Sequence, residues 1–234
     1  MKNLRSCYNI RVITKLPPFF YLRDTVQVAR ELLGKRLVRI INGSRLVGII
    51  VETEAYCEGD AASHSFRGRT KRNDVMFWRG GHLYVYFTYG MHFCANVVTR
   101  EEGAGEAVLI RAIEPTEGIE RMMRNRGMNE RGGERENGRE GESKSVRGRE
   151  SKSGREYESK KQLFNLTNGP AKLCQAFGIG REENGTDLSG NEIYIVDVQS
   201  ERRLTISSST RVGIKNGKGK KWRYYVKGND WVST

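Results

Sequence analysis

The chain has 234 residues, enough for one domain with a real core, and carries 41 Lys and Arg against 28 Asp and Glu, a formal net charge of +13. With a pI near 9.7, a polyanion is the default partner. The sequence contains no long apolar span and no basic amphipathic helix of the membrane-surface type, which sets an anionic membrane aside and leaves nucleic acid.

The first residues, MKNLRSCYNIRVITKLPPFFYL, mix charges through their apolar side chains and make a poor signal peptide, so the protein is expected to stay inside the cell. Cys7, Cys57, Cys94 and Cys174 show no close pair of metal-binding spacing. In a reducing compartment they are expected as free thiols, without a structural zinc site.

Asp24 followed by Gln27 predicts a capped helix running to Leu33, with Val26, Ala29, Leu32 and Leu33 as its apolar stripe and Gly34 as its stop. The aliphatic runs on either side of Asn42-Gly43 predict a β-hairpin. Its second strand runs from about Arg45 to Glu52 and Glu54. On a regular strand Glu52, Glu54 and Tyr56 share one face. A solvated edge is the ordinary fate of such a pair. The alternative is a general base with the tyrosine as one wall of a pocket, and spacing does not choose between the two glutamates.

The next stretch, CEGDAASHSFRGRTKRNDVMF, is a polar loop holding His64 and the basic cluster Arg67, Arg69, Lys71 and Arg72. A lone His in a loop is ordinary, and the cluster could be a solvated face. Basic residues beside an acid/base site would also serve to position phosphates. In GHLYVYFTYGMHFCANVV, Leu83, Val85 and Phe87 alternate with Tyr84, Tyr86 and Thr88, which predicts a strand with one apolar and one tyrosine-bearing face. Tyr89-Gly90 then turns the chain into a second strand. An aromatic at that tip is either surface decoration or a wedge for a base stack. EAVLIRAIEP is an apolar strand interrupted by Arg111, which in such a run calls for a carboxylate or a phosphate.

Residues 129–161 hold ten Lys and Arg, eight Glu and almost no large apolar side chain, a composition that predicts a long disordered or loosely helical loop. Most of the net positive charge therefore belongs to the rest of the chain. Gly169-Pro170 opens a further helix that buries Leu173, Ala176 and Phe177 and stops at Gly178. NEIYIVDV and the closing TRVGIKNGKGKKWRYYVKGNDWVST are expected to be strands, with Trp222, Tyr224, Tyr225 and Trp231 on a sheet face or in the core.

VETEAY, the later histidine, LYVYFTYGMHFCANVV, VLIRAIEP, NGPAKLCQAFGI, RVGI and RYYVKGNDWVS, in this order, resemble the alkyladenine (3-methyladenine) DNA glycosylase family. The resemblance spans about residues 21–115 and 166–233 and leaves the charged segment unmatched. It implies an α+β fold, a single compact domain around a curved, mainly antiparallel β-sheet; the protruding β-hairpin, flanking helices and long charged loop are expected from the sequence patterns above. It further implies no metal or organic cofactor and double-stranded damaged DNA as partner; a monomer is the default expectation. By the same resemblance Glu54 falls on the general base and Arg111 on the arginine beside it. Tyr56, His64 and Tyr86 fall on the pocket for an extruded base, Asn96 on the residue that crowds guanine's exocyclic amine, Tyr89 on the intercalating side chain, and Val212 on a main-chain contact to the attacking water. The expected reaction is hydrolysis of the N-glycosidic bond of an alkylated purine, without a lyase step.

Two other functions fit parts of the pattern. A non-catalytic nucleic-acid-binding module would use the charge and the aromatics alone. A metal-dependent nuclease could recruit Glu52, Glu54, Asp60 and His64, although their spacing matches no recognised ligand motif.

Overall fold

The computed structural model describes residues 13–88, 90–128, 163–198 and 204–233. Tyr89, Cys7 and the charged segment 129–161 lie outside the described residues. The elements in chain order are β1 (Ile13–Lys15), α1 (Pro18–Tyr21), α2 (Thr25–Glu31), β2 (Arg36–Ile41), β3 (Ser44–Tyr56), a 3₁₀ turn (Asp74–Phe77), β4 (Leu83–Thr88), β5 (His92–Thr99), β6 (Glu106–Glu117) and α3 (Ile119–Asn125). They continue with α4 (Pro170–Phe177), a second 3₁₀ turn (Arg181–Glu183), β7 (Ile193–Val198), β8 (Ile206–Ser209) and β9 (Arg223–Val226).

All nine strands form one antiparallel sheet, seven of them in the order β1-β7-β2-β3-β6-β5-β4, with β9 also on β3 and β8 on β9. This is the expected α+β architecture around a mainly antiparallel sheet. The long strand β3 organises it. Along one edge β3 pairs with β6 over most of its length; along the other it pairs first with β2, at 44–49, and then with β9, at 52–54. The β3–β6 register shifts around Val51 and Arg111, residues that face no direct partner. Such bulges bend a strand and increase its local twist.

The hairpin between β2 and β3 forms at Asn42-Gly43 with φ of 48° and 72°, the two positive values that a type I′ turn needs. Asp24 caps α2 by accepting from the Gln27 amide at 3.0 Å. The helix ends at Glu31, two residues before the expected Leu33, because Leu32 and Leu33 leave it in a turn that runs into Gly34. Val28 and Ala29 of α2, Met122 of α3 and Leu173, Ala176 and Phe177 of α4 pack against Ile50, Val51, Ala55, Ile110 and Ala112 in one core on a single face of the sheet. Gly178 stops α4 in a left-handed conformation, as expected.

Three features escape the sequence patterns. The segment LTISSS supplies β8, and α1 and α3 are single short helices below the length at which periodicity is informative. RVGI is not a strand but a loop, and in the closing stretch the strand is confined to Arg223–Val226. Its backbone is recruited by side chains elsewhere, described below. Among the described residues no helix is long and apolar enough to cross a membrane. Cys57, Cys94 and Cys174 are free.

Close packing at the β3–β6 crossing makes one position sensitive. A Cβ at Gly48 would stand 2.1 Å from Ile113 Cγ2 and 3.0 Å from the Glu114 carbonyl oxygen. Gly48→Ala is therefore expected to cost ~1–3 kcal/mol through overpacking, read as a lower denaturation midpoint in urea at unchanged slope.

Candidate active site

A cavity of about 530 Å³ is lined by residues of β3, β4, β5 and β6, by the loops around 61–64 and 212–216, and by Pro170 at the start of α4. The antiparallel registers explain which side chains meet there. Glu54 of β3 pairs with Leu109 of β6, Leu109 with Asn96 of β5, and Asn96 with Tyr84 of β4, so the four stand in one row across four strands. Tyr86 and Cys94 form the next pair along β4 and β5. Tyr56, His64, Tyr86, Asn96, Arg111 and Val212, six positions singled out from the sequence, all line the cavity.

Glu54 has no exposed surface. It lies directly behind the wall, where the Val212 amide donates to its Oε1 at 2.7 Å and the Tyr56 hydroxyl to its Oε2 at 2.8 Å. Glu52 is equally buried but differently occupied. It takes Arg111 Nε at 2.9 Å, Arg223 Nε at 2.6 Å, and the hydroxyl and amide of Ser233 at 2.9 and 2.6 Å. A carboxylate offers about four acceptor sites. Glu52 accepts four hydrogen bonds from the protein, three of them on Oε1 and one on Oε2, whereas Glu54 accepts two, one on each oxygen. Neither glutamate lies on a solvated edge. Arg111 meets carboxylates, as its place in an apolar strand demands, with Nη1 3.4 Å from Glu54 Oε1.

Burial, then the neighbouring Glu54 charge, pushes the Tyr56 phenol far above its ordinary pKa. It therefore remains a donor to the carboxylate. Burial, then Cys94, does the same for Tyr86, and burial pushes Tyr84 to about 12. His64 lines the cavity from the loop after β3. Its Nδ1 lies 3.0 Å from the Tyr84 hydroxyl, and its ring meets Tyr86 edge-on at 4.4 Å between centroids. Loss of solvent around the ring, followed by the Arg72 charge, lowers its pKa below the ordinary histidine value. At neutral pH the cavity thus presents neutral rings. Asn96 Nδ2 donates to the Tyr84 carbonyl at 3.0 Å, which fixes the amide in the wall.

The loop that carries Val212 is held by a buried ion pair. Arg211 grips Asp60 through both terminal nitrogens, one of them at 3.0 Å, donates to the Ala55 carbonyl at 2.9 Å, and stacks 4.7 Å from the Tyr56 ring. Burial opposes the ionised form of Asp60, but hydrogen bonds from Arg211 and the Ala62 amide outweigh it and hold its pKa below the usual carboxylate value. Asp60 and His64 are thereby committed to Arg211 and Tyr84. Among the described residues, no group of three or more His, Cys, Asp or Glu could hold a metal ion.

The family model described as methylpurine-DNA glycosylase (MPG) matches residues 19–230. The chain belongs to the methylpurine-DNA glycosylase family. Curated relatives named "Putative 3-methyladenine DNA glycosylase" include one from Carboxydothermus hydrogenoformans, 46% identical over 93% of this chain and 98% of its own length. A second, from Clostridium acetobutylicum, is 45% identical over 94% and 97%, and a third, from Desulfitobacterium hafniense, 44% over 92% and 96%. Membership makes this chain one of the DNA glycosylases, a class of DNA repair proteins.

Several groups of this family member's cavity were not singled out as site residues from the sequence. Tyr84, Met76, Cys94, Leu109 and the loop 213–216 also line the cavity. Tyr84 had a legible signal, since it alternates onto the Tyr86 face of β4; the others depend on register and loop docking. The Val212 amide, expected against a water, donates to the Glu54 carboxylate itself.

Proposed function

We propose that this glycosylase flips alkylated purines of the 3-methyladenine type out of double-stranded DNA and hydrolyses their N-glycosidic bond with a water activated by Glu54. It acts as a monomer inside the cell, as a monofunctional enzyme independent of metal and organic cofactor. The observation that carries this reading is a fully buried carboxylate, held by the Val212 amide and the Tyr56 hydroxyl, behind the wall of an aromatic cavity of purine-accommodating size.

A base inside a duplex exposes its C1′ poorly, so extrusion precedes reaction. Tyr56, Tyr84 and Tyr86 offer ring faces to the extruded base, and a cationic purine gains ~0.5–2 kcal/mol from such faces. The lowered pKa of His64 keeps a competing positive charge out of the site. In this reading Asn96, fixed in the cavity wall, crowds an exocyclic amine. Water reaches Glu54 through the wall formed by Tyr56, Arg111 and Val212 and gives up a proton to it while bonding to C1′. The C1′–N bond breaks and its electron pair neutralises the positive ring, so the base departs without a strong acid. Arg111 supports the ionised carboxylate. The Lys215–Lys221 turn and the Arg67–Arg72 segment, which flank the cavity in sequence, are suited to phosphates.

The test is release of free 3-methyladenine from methylated duplex DNA with EDTA present. Base release with an uncut backbone supports the proposal, and no release refutes it. Tyr89, as the wedge, gives a separate expectation. Tyr89→Ser should slow base release from duplex DNA roughly 10–100-fold, because the unstacking cost is no longer offset, and should slow it less in a flexible single strand. Equal losses on both substrates would argue against wedging.

A further inference from the structure

Glu52 is a fully buried carboxylate that the proposed reaction leaves unused, yet it binds the arginine beside the base. Two of the three Arg111 nitrogens are engaged away from Glu54. Nε donates to Glu52 at 2.9 Å and Nη2 to the Ser233 hydroxyl at 3.1 Å, and that hydroxyl in turn donates to Glu52 at 2.9 Å. Arg223 and the Ser233 amide complete the shell around Glu52 at 2.6 Å each. The remaining Nη1 stands 3.4 Å from Glu54, beyond the roughly 2.7–2.9 Å of a charge-assisted hydrogen bond.

A guanidinium without such restraint would fork onto the nearest free carboxylate. Closing on Glu54, it would occupy acceptor sites that the water needs and make the carboxylate a weaker base. We infer that Glu52 and Ser233 form a bracket that fixes Arg111 beside Glu54 without allowing it to seize the carboxylate, and so act as positioning residues for the base. The inference rests on Glu54 being that base. The charged and titratable groups facing Glu54 are Glu52 and Tyr56 on β3, Arg111 on β6, Cys94 on β5, Arg211 in the loop before Val212, and Arg223 on β9.

The experiment compares single-turnover release of 3-methyladenine across pH for wild type, Ser233→Ala, Ser233→Thr, Glu52→Gln and Glu54→Gln, each below its own melting temperature. Ser233→Ala frees Arg111 Nη2. Its plateau rate should fall roughly tenfold, within the ~10²-fold that a 1 Å misplacement can cost, and its acid limb should move to lower pH because the cation approaches the carboxylate. Ser233→Thr, which keeps the hydroxyl, should restore both. Glu52→Gln, which removes an anion while keeping the shape, should shift the limb in the same direction and serves if Ser233→Ala fails to fold. A purely structural Ser233 would lower the melting temperature and leave plateau and limb unmoved, which overturns the inference while Glu54→Gln stays inactive. If wild type releases no base, or Glu54→Gln releases it equally fast, the base assignment falls and the bracket with it.

Discussion

Glu54→Gln is expected to slow base release by ~10²–10⁴-fold, the usual contribution of a general base, while leaving the fold and the affinity for methylated DNA close to wild type. Glutamine keeps the volume of this fully buried side chain, and its carbonyl oxygen can still accept from the Val212 amide or the Tyr56 hydroxyl. What it cannot do is take a proton from water. The neighbouring carboxylate does not substitute, because Glu52 is enclosed by Arg111, Arg223 and Ser233. The measurement is single-turnover release of 3-methyladenine with EDTA present, alongside a binding isotherm on the same duplex. Wild-type release by the variant would remove Glu54 from the reaction; lost binding and a lowered melting temperature would give it a structural role instead. A non-catalytic nucleic-acid-binding module predicts no base release from either protein.

Arg211→Met is expected to be the most damaging change to stability near the site. Arg211 is 5% exposed and Asp60 1% exposed. Truncating one partner of such a pair leaves a buried charge unpaired, at a cost of ~3–5 kcal/mol, or roughly 10 °C in melting temperature for a chain of this size. The sign with pH follows from Asp60. Its folded pKa is depressed, so the stability it contributes is complete above the ordinary Asp value of ~3.9 and disappears as pH falls through its lower folded value. The gap between wild type and Arg211→Met should therefore be full at neutral pH, shrink in acid as pH falls toward the folded value, and be smallest below it. Base release should also suffer while the variant is still folded, since Arg211 precedes Val212 and anchors the backbone that holds Glu54. An unchanged melting temperature at pH 7 would sink this account, and a pH-independent gap would remove Asp60 from it.

The local grammar of the fold was legible because it depends on neighbours in the chain. Asp24 and Gln27 announce α2, Asn42-Gly43 the β2–β3 hairpin, and the Leu83–Thr88 alternation a strand with a tyrosine face. The missed β8 and the mistaken RVGI strand share one cause. Their conformations follow from partners outside the local window, β9 for the first and Glu54 and Asp60 for the second. A solvated edge was the ordinary expectation for Glu52 and Glu54, and burial among long-range donors overrides it.

By itself the sequence determined that this protein is basic, built on an antiparallel sheet with flanking helices, and a carrier of the ordered motifs of its family. It also marked Glu54, Tyr56, His64, Tyr86, Asn96, Arg111 and Val212 as positions of interest. Only the tertiary structure decided which of two glutamates one turn of the pleat apart has open acceptor capacity, because that depends on which donors β6, β9, the 211–217 loop and Ser233 bring to each. Spacing along a strand sets the face a side chain takes. The company it keeps there is set by register and docking, which segments distant in sequence supply.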